Sequence, residues 1–284
     1  MTLPPFDLHR PRSIDEAHDL LERYGEDAAV VCGGTELLLL LKLGFAAYGH
    51  LVDVKGIDEL GGIREENGTL VIGSTVTHRE IERSPLVLDR LPALAAMERD
   101  VANIRVRNVG TLGGNLCFSD PHSDPATFLL TLDAEVEHDG GRMPLSEFLV
   151  GPYETVLRPG RLLRAVRIPM PAPGTGVAHR KLSFHERPAA TVAAAVQVES
   201  GTITGARITV GSVGARPVRA AAAADALVGR PTTDTPALAE AAALAAEVSD
   251  AVEDANGSVE YKQQLVRVLV ERCVKAAVGE ARAP

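Results

Sequence analysis

The chain of 284 residues has no tryptophan, and aromatic residues make up only 4% of it. Burial must therefore come chiefly from aliphatic side chains, which dominate an apolar share of 45%. Cysteine is scarce as well, with only Cys32, Cys117 and Cys273. An odd, widely spaced set is a poor disulfide framework and points to a reducing compartment. No pair has CxxC spacing, and three thiolates fall short of the four that usually hold an iron–sulfur cluster. Electrons from such a cluster would have to arrive from another chain. Long apolar runs are missing too. Leu37 to Leu41, the longest strongly apolar run, is far too short to span a bilayer. Met1 to Arg12 lacks the apolar stretch of a signal peptide. Basic residues are in deficit, 29 against 38 acidic, for a formal charge of -9. That balance argues against a nucleic-acid groove while leaving a local basic site for phosphate open. The expectation is a soluble cytoplasmic protein with no transmembrane segment and no nucleic-acid partner. Association with the inner face of the membrane stays compatible with it.

Length allows two domains. Ser13 and Glu16 form a capping-box pattern opening a helix that runs to Gly25. Ala28 to Cys32 reads as a short buried strand, broken by Gly33-Gly34. A helix follows from Glu36 to about Leu43, then a strand over Leu51 to Val54. Further strands are predicted at Leu70 to Gly73, after the Asn67-Gly68 turn, and at Leu162 to Ile168. A helix is predicted from Leu91 to Met97. The run Pro169-Met170-Pro171-Ala172-Pro173-Gly174 interrupts helix and strand alike and marks a boundary. Beyond it, strands at Val192 to Val198 and Ala206 to Val213 precede an alanine-rich helical stretch, Ala220 to Ala246. A last helix covers Val259 to Val278. The domains read as 1–171, with subdomains of about 1–55 and 56–171, and 172–284.

Two glycine pairs carry the chemistry. In Val31-Cys32-Gly33-Gly34-Thr35-Glu36-Leu37 a strand ends, two glycines follow and a helix begins. Glycine lets backbone approach a phosphate closely, and a helix start offers unpaired N–H groups. The segment Val109-Gly110-Thr111-Leu112-Gly113-Gly114-Asn115 repeats the idea with side-chain donors at Thr111 and Asn115. Either pair alone reads best as a turn. Neither matches GxGxxG or carries the Gly-Lys-Ser/Thr of a P-loop, which argues against a Rossmann site and an ordinary NTPase. A diphosphate shared between two sets of backbone donors remains physically reasonable.

These segments, with Gly73-Ser74-Thr75-Val76-Thr77-His78-Arg79-Glu80-Ile81 between them and Ile104-Arg105-Val106-Arg107-Asn108 just before the second, stand in a telling order. Together they resemble the FAD-binding medium subunit of molybdenum hydroxylases, the family of the flavin subunit of aerobic carbon monoxide dehydrogenase and the flavin domain of xanthine dehydrogenase. The resemblance covers nearly the whole chain. It implies an α+β fold: a two-subdomain FAD-binding domain of the vanillyl-alcohol-oxidase type, then a small C-terminal domain with a three-stranded antiparallel sheet and helices. It implies that FAD lies on Val31, Cys32, Gly33, Gly34, Thr35, Glu36 and Leu37 and on Thr111, Leu112, Gly113, Gly114 and Asn115. It further implies that Asp124 contacts the ribityl side, that Lys181 lies near the flavin ring, and that the Leu163 backbone contacts flavin. The molybdenum cofactor and two [2Fe-2S] clusters are expected in a large and a small partner subunit, assembled as a dimer of heterotrimers. Electrons would pass from those clusters through FAD to a terminal acceptor. No metal site and no catalytic triad are expected in this chain.

Plainer readings stand beside these. Asp120 and Asp124 are well placed to cap the helix opening near Pro125. Lys181 alone would be a solvated charge. His78 and His122 read as hydrogen-bonded structural residues, and His179 and His185 flank Lys181. Cys32 and Cys117 read as small buried residues. Arg105 and Arg107 suit either a partner surface or ion pairs. Leu37 to Leu41 reads first as core. The family often carries an aromatic residue shortly after the matching lysine, where this chain has Ala189. That departure leaves the flavin face more open unless Phe184 covers it, and it withholds assignment to carbon monoxide as substrate. Two other functions fit the same residues: a self-sufficient FAD-dependent oxidoreductase acting on a small molecule, and a non-catalytic nucleotide-binding scaffold.

Overall fold

The computed structural model of the protein describes residues 2–184 and 186–281. Three larger sheets organise the described residues, with a small two-stranded pair, Leu149–Gly151 and Glu154–Thr155, beside them. The first is parallel, in the order Asp7–His9, His50–Asp53, Ala28–Val31. The helix Ile14–Tyr24 provides its first crossover and the helix Leu37–Leu43 its second. Ser13 caps the former by accepting the Glu16 N–H at 3.1 Å. Gly44, at φ 76°, closes the latter in the left-handed conformation that glycine adopts without steric cost.

The second sheet is antiparallel: Ile63–Glu66, Thr69–Gly73, Leu163–Pro169, Glu135–His138, Gly141–Pro144. Helices cover it, and its hydrophobic core includes Leu70, Ile72, Leu94, Leu112, Phe128, Val136, Val166 and Ile168. The segment between Leu163–Pro169 and the next strand holds the proline and glycine punctuation, as the sequence predicts. Among the described residues no helix is long and apolar enough to cross a membrane.

The third sheet has three long antiparallel strands, Thr175–Ser183, Pro188–Glu199 and Thr202–Gly211. A two-residue strand, Val218–Arg219, adds a fourth at the edge. The run Ala189 to Ala195 explains the alanine richness of the middle strand. Its residues are buried on both faces: Ala190, Val192 and Ala194 pack toward the helix Val259–Ala281, while Ala193 and Ala195 join the core of the second sheet. Small side chains let two layers close on one strand. The alanine-rich stretch that follows is two helices, Ala221–Asp225 and Thr235–Glu247. Gly229 at φ 80° and Pro231 break it between them.

Asp139 ties the first helix to the second sheet. Its Oδ2 lies 2.7 Å from His18 Nε2 and accepts the Leu162 N–H at 2.6 Å, while Oδ1 accepts Arg164 Nε–H at 2.8 Å. Burial pushes this carboxyl up, but the Leu162 N–H, Arg164 and His18 outweigh it and hold its pKa below the ordinary carboxylate value. A carboxyl whose folded pKa lies below its unfolded one contributes stability that is complete above the unfolded value, about 4, and is lost as pH falls through the folded value. Denaturant midpoints should therefore drop on acidification from about pH 5 to about pH 3. Asp139→Asn should be less stable than the parent at neutral pH and show a smaller drop. Parallel pH profiles for the two proteins would refute this role.

Candidate functional site

The two glycine segments meet. A Cβ on Gly33 would lie 2.5 Å from the Val109 oxygen and 2.6 Å from Gly110 Cα. Only glycine allows that approach. Val31 ends its strand, Gly34 turns the chain at φ 70°, and Leu37 begins the next helix. The backbone N–H groups of Gly33, Gly34, Thr35, Glu36 and Leu37 have no acceptor within the chain among the described residues. Five successive free donors form a concentrated site for an anion.

The second segment differs from its sequence reading. It is a helix, Leu112–Phe118, and Gly113 and Gly114 lie inside its first turn. Its amides are engaged: Leu112 donates to the Val76 carbonyl at 3.0 Å, Gly113 to the Ser74 carbonyl at 3.1 Å, and Gly114 to the capping Thr111 Oγ1 at 3.1 Å. Gly113 is glycine because a Cβ there would meet Ser74 Cβ at 2.5 Å. The Thr111 N–H is left without an acceptor among the described residues. The second segment thus buttresses the first and offers fewer donors than its composition suggests. Asn115 Oδ1 accepts the Ser123 hydroxyl at 2.6 Å.

Ser74 links this wall to the second sheet by donating its N–H to the Arg164 carbonyl at 2.9 Å. Leu163 lies beside that point, where a register shift between Leu163 and Ala165 interrupts the pairing with Glu135–His138. The bulge frees local backbone from regular pairing.

Asp124 and Lys181, 57 positions apart in sequence, are brought together. Lys181 Nζ donates to Asp124 Oδ2 at 2.6 Å and to the Asp100 carbonyl at 2.6 Å. His179 Nε2 stands 3.4 Å from Asp124 Oδ1, an ion-pair distance without hydrogen-bond alignment. Burial pushes the Asp124 carboxyl up, yet His179 and Lys181 hold it below the usual range. Lys181 is consequently a partly buried, paired cation, not a solvated one. Neither Asp124 nor Asp120 caps the helix Asp124–Thr131. Ser123 does, accepting the Ala126 N–H at 3.1 Å.

The remaining candidates fall into structural roles. His78 is buried, with Nδ1 2.6 Å from Glu98 Oε2, and its N–H donates to the Gly110 carbonyl. His122 Nδ1 lies 2.8 Å from the Pro188 carbonyl. His185 falls outside the described residues. Burial pushes the Cys117 and Cys273 thiols up to about 12. It also raises Cys32 against a lowering contact with Thr111. All three thus stay protonated thiols at neutral pH. Arg107 pairs with Glu82 at 3.4 Å, while Arg105 is exposed. Of the leucine run only Leu41 is fully buried, and Leu39 is half exposed. Ala189 is fully buried in its strand, and Phe184 is half exposed beside a recess it shares with Ala255, Asn256, Gly257 and Tyr261. Sequence reasoning missed Arg187, whose Nη2 lies 3.2 Å from Glu36 Oε2 and 3.1 Å from Asp120 Oδ2. No local pattern announces it.

The donor set fits a dinucleotide diphosphate, and the comparisons agree with that chemistry. Residues 4–171 match the FAD binding domain in molybdopterin dehydrogenase, and residues 179–277 match the CO dehydrogenase flavoprotein C-terminal domain. The carbon monoxide dehydrogenase medium chain of Afipia carboxidovorans is 36% identical over 98% of this chain and 98% of its own length. Carbon monoxide dehydrogenase from Hydrogenophaga pseudoflava, solved lacking the Mo-pyranopterin moiety of its cofactor, superimposes with a TM-score of 0.94 at 35% identity, covering 99% of each chain. Quinoline 2-oxidoreductase from Pseudomonas putida 86 does so with a TM-score of 0.94 at 30% identity, covering 100% of each chain. One fold therefore serves enzymes named for unrelated substrates, which agrees with a substrate site on another subunit. This chain belongs to the FAD-binding family of the molybdopterin dehydrogenases and is an oxidoreductase flavin subunit of the carbon monoxide dehydrogenase type.

Proposed function

We propose that the chain holds FAD between its two glycine segments and passes electrons from [2Fe-2S] clusters in a partner chain to a terminal acceptor. The observation that carries this reading is the run of five unpaired amides at Gly33 to Leu37, pressed against Gly110 in a chain of this family. Those amides receive the diphosphate. Val31 and Cys32 fix the approach of the strand, and Leu112, Gly113 and Gly114 form the supporting wall with Thr111 and Asn115 at its rim. Asp124 offers a carboxylate on the ribityl side, Lys181 an ammonium toward the ring, and Leu163 a backbone contact. When bound, FAD supplies the electron chemistry, and the protein supplies position, shielding and electrostatics. Because Lys181 is already matched by Asp124, the pair presents oriented donor and acceptor atoms with little net charge.

The FAD-binding unit is proposed as 1–171, in subdomains of about 1–55 and 56–171, with the C-terminal unit over 172–284. The strands support this division: the three larger sheets draw theirs from 7–53, 63–169 and 175–219 without exchange. The molybdenum cofactor belongs to a large subunit and the two [2Fe-2S] clusters to a small one, in a cytoplasmic dimer of heterotrimers. Co-expression with both partners and purification through this chain tests the whole reading. The complex should carry molybdenum, iron and FAD, and the isolated chain should retain FAD without oxidising substrate. Substrate turnover by the isolated chain, or a complex without flavin, would overturn it.

A further inference from the structure

Arg187 sits in the turn between Thr175–Ser183 and Pro188–Glu199, on the C-terminal unit. One nitrogen of its guanidinium, Nη2, reaches two carboxylates that belong to the other unit, Glu36 at 3.2 Å and Asp120 at 3.1 Å. Glu36 is a member of the run of unpaired amides. Asp120 follows the helix Leu112–Phe118, whose cap is Thr111. One cation thus bridges a carboxylate of the first glycine segment and one just beyond the helix that the second segment opens. The turn that carries it is held on both sides. Asn103 Nδ2 donates to Glu186 Oε1 at 2.5 Å, and the Pro188 carbonyl lies 2.8 Å from His122 Nδ1.

As a staple between domains the Glu36 arm of this bridge is weak, because the Arg187 and Glu36 side chains are 50% and 36% exposed and exposed ion pairs contribute little; Asp120, at 11%, is the shielded end. Its position is what matters. A diphosphate brings two negative charges to the amides of Gly33 to Leu37, within a few ångströms of Glu36. Like charges at such separations repel strongly where solvent is partly excluded. Among the described residues, Arg187 is the cation paired with Glu36 and with Asp120. Partial burial works against its charge, but Asp120 and Glu36 together keep its pKa above the ordinary arginine value, so it stays cationic.

We propose that Arg187 is a positioning residue for FAD retention: it holds and neutralises Glu36 and Asp120 so that the diphosphate meets the free amides without two opposing carboxylates. This rests on the reading that the diphosphate occupies the Gly33 to Leu37 segment. The effect is electrostatic shielding, so removing the repelling carboxylate should substitute for the missing cation. That separates shielding from direct ligation of phosphate and from a merely structural role.

The test uses the full chain loaded with FAD, with flavin fluorescence reporting release, in the parent and in Arg187→Ala, Glu36→Gln and the double variant. Arg187→Ala should weaken FAD binding by about tenfold at low salt, and the loss should shrink at high salt as repulsion is screened. Glu36→Gln keeps the backbone amide that receives the diphosphate and removes only the side-chain charge, so alone it should bind FAD at least as well as the parent. The double variant should recover most of the loss. Thermal melting of FAD-free Glu36→Gln should be nearly unchanged, because that arm of the bridge is exposed, and Arg187→Ala and the double variant should melt alike, because both leave Asp120 without its cation. Unchanged FAD release in Arg187→Ala, or a double variant as weak as Arg187→Ala, would overturn the proposal while leaving the FAD reading intact. A parent chain that holds no FAD would overturn both.

Discussion

Asp124→Ala is expected to strip the chain of FAD and to lower its stability by about 3 kcal/mol. Asp124 is 4% exposed and its carboxylate is the charged partner of Lys181. Truncation leaves an ammonium that is only 15% exposed, with the Asp100 carbonyl as its remaining acceptor. Breaking a buried pair by removing one member costs about 3–5 kcal/mol because the other charge is left uncompensated. The residual exposure and the Asp100 carbonyl place this case at the low end. Asp124→Asn keeps the shape and an acceptor oxygen, so its cost should be roughly half. Removing both charges, as in Asp124→Ala with Lys181→Met, should cost less than the sum of the single changes. Unfolding of the FAD-free proteins in denaturant reads the pair by itself, and flavin retention reads the ligand role. An additive double variant would show that the two side chains are not coupled. Full flavin retention in Asp124→Ala would remove it from the cofactor site.

Much of the scaffold is legible in the sequence because its signals are local. Pro169 to Gly174 ends one strand and spaces it from the next, since proline cannot donate to a ladder. The expected strand at Ala28 to Cys32 is observed over Ala28–Val31, and the helix expected at Val259 to Val278 runs over Val259–Ala281. The alanine-rich stretch misleads because alanine favours helix everywhere, while the break is the short run of turns over 226–234 that contains Gly229 and Pro231. The site is harder. Asp124, His179 and Lys181 converge from distant segments, and a lone lysine carries no signal of its partner. Ser123 outcompetes the two aspartates as cap because their carboxylates are drawn to Lys181, Arg187 and the His122 N–H. The glycine pairs are visible, but glycine has two physical uses that look alike in sequence. One is open backbone for a ligand, and the other is room for a neighbouring chain segment.

Those two uses predict opposite behaviour within each pair. A Cβ at Gly33 would meet the Val109 oxygen at 2.5 Å, and one at Gly113 would meet Ser74 Cβ at 2.5 Å and its oxygen at 2.6 Å. The obstructing atoms are backbone or tied to it and cannot rotate away. Gly33→Ala and Gly113→Ala should each destabilise the FAD-free chain by about 3 kcal/mol, the upper range for overpacking, and abolish FAD retention, the first by separating the two segments and the second by pushing its helix off Ser74. Gly34 is different. Its φ of 70° costs a side chain about 1–2 kcal/mol, and the nearest atom, Leu38 Cδ1 at 3.1 Å, belongs to a flexible side chain. Gly114 is the most permissive, because a Cβ there meets only Thr111 Oγ1, at 2.9 Å. Alanine at this helical position should gain about 0.5–1 kcal/mol of propensity, offsetting whatever Thr111 loses as a cap. Gly114→Ala should therefore fold like the parent, so that any FAD it loses reports contact with the ligand itself. Melting curves and bound-flavin absorbance on the four variants decide the matter. If Gly33→Ala melts like the parent and retains FAD, the two segments do not abut in solution as they do in the structure; if Gly114→Ala melts as early as Gly113→Ala, the two uses of glycine are not separated within the second pair.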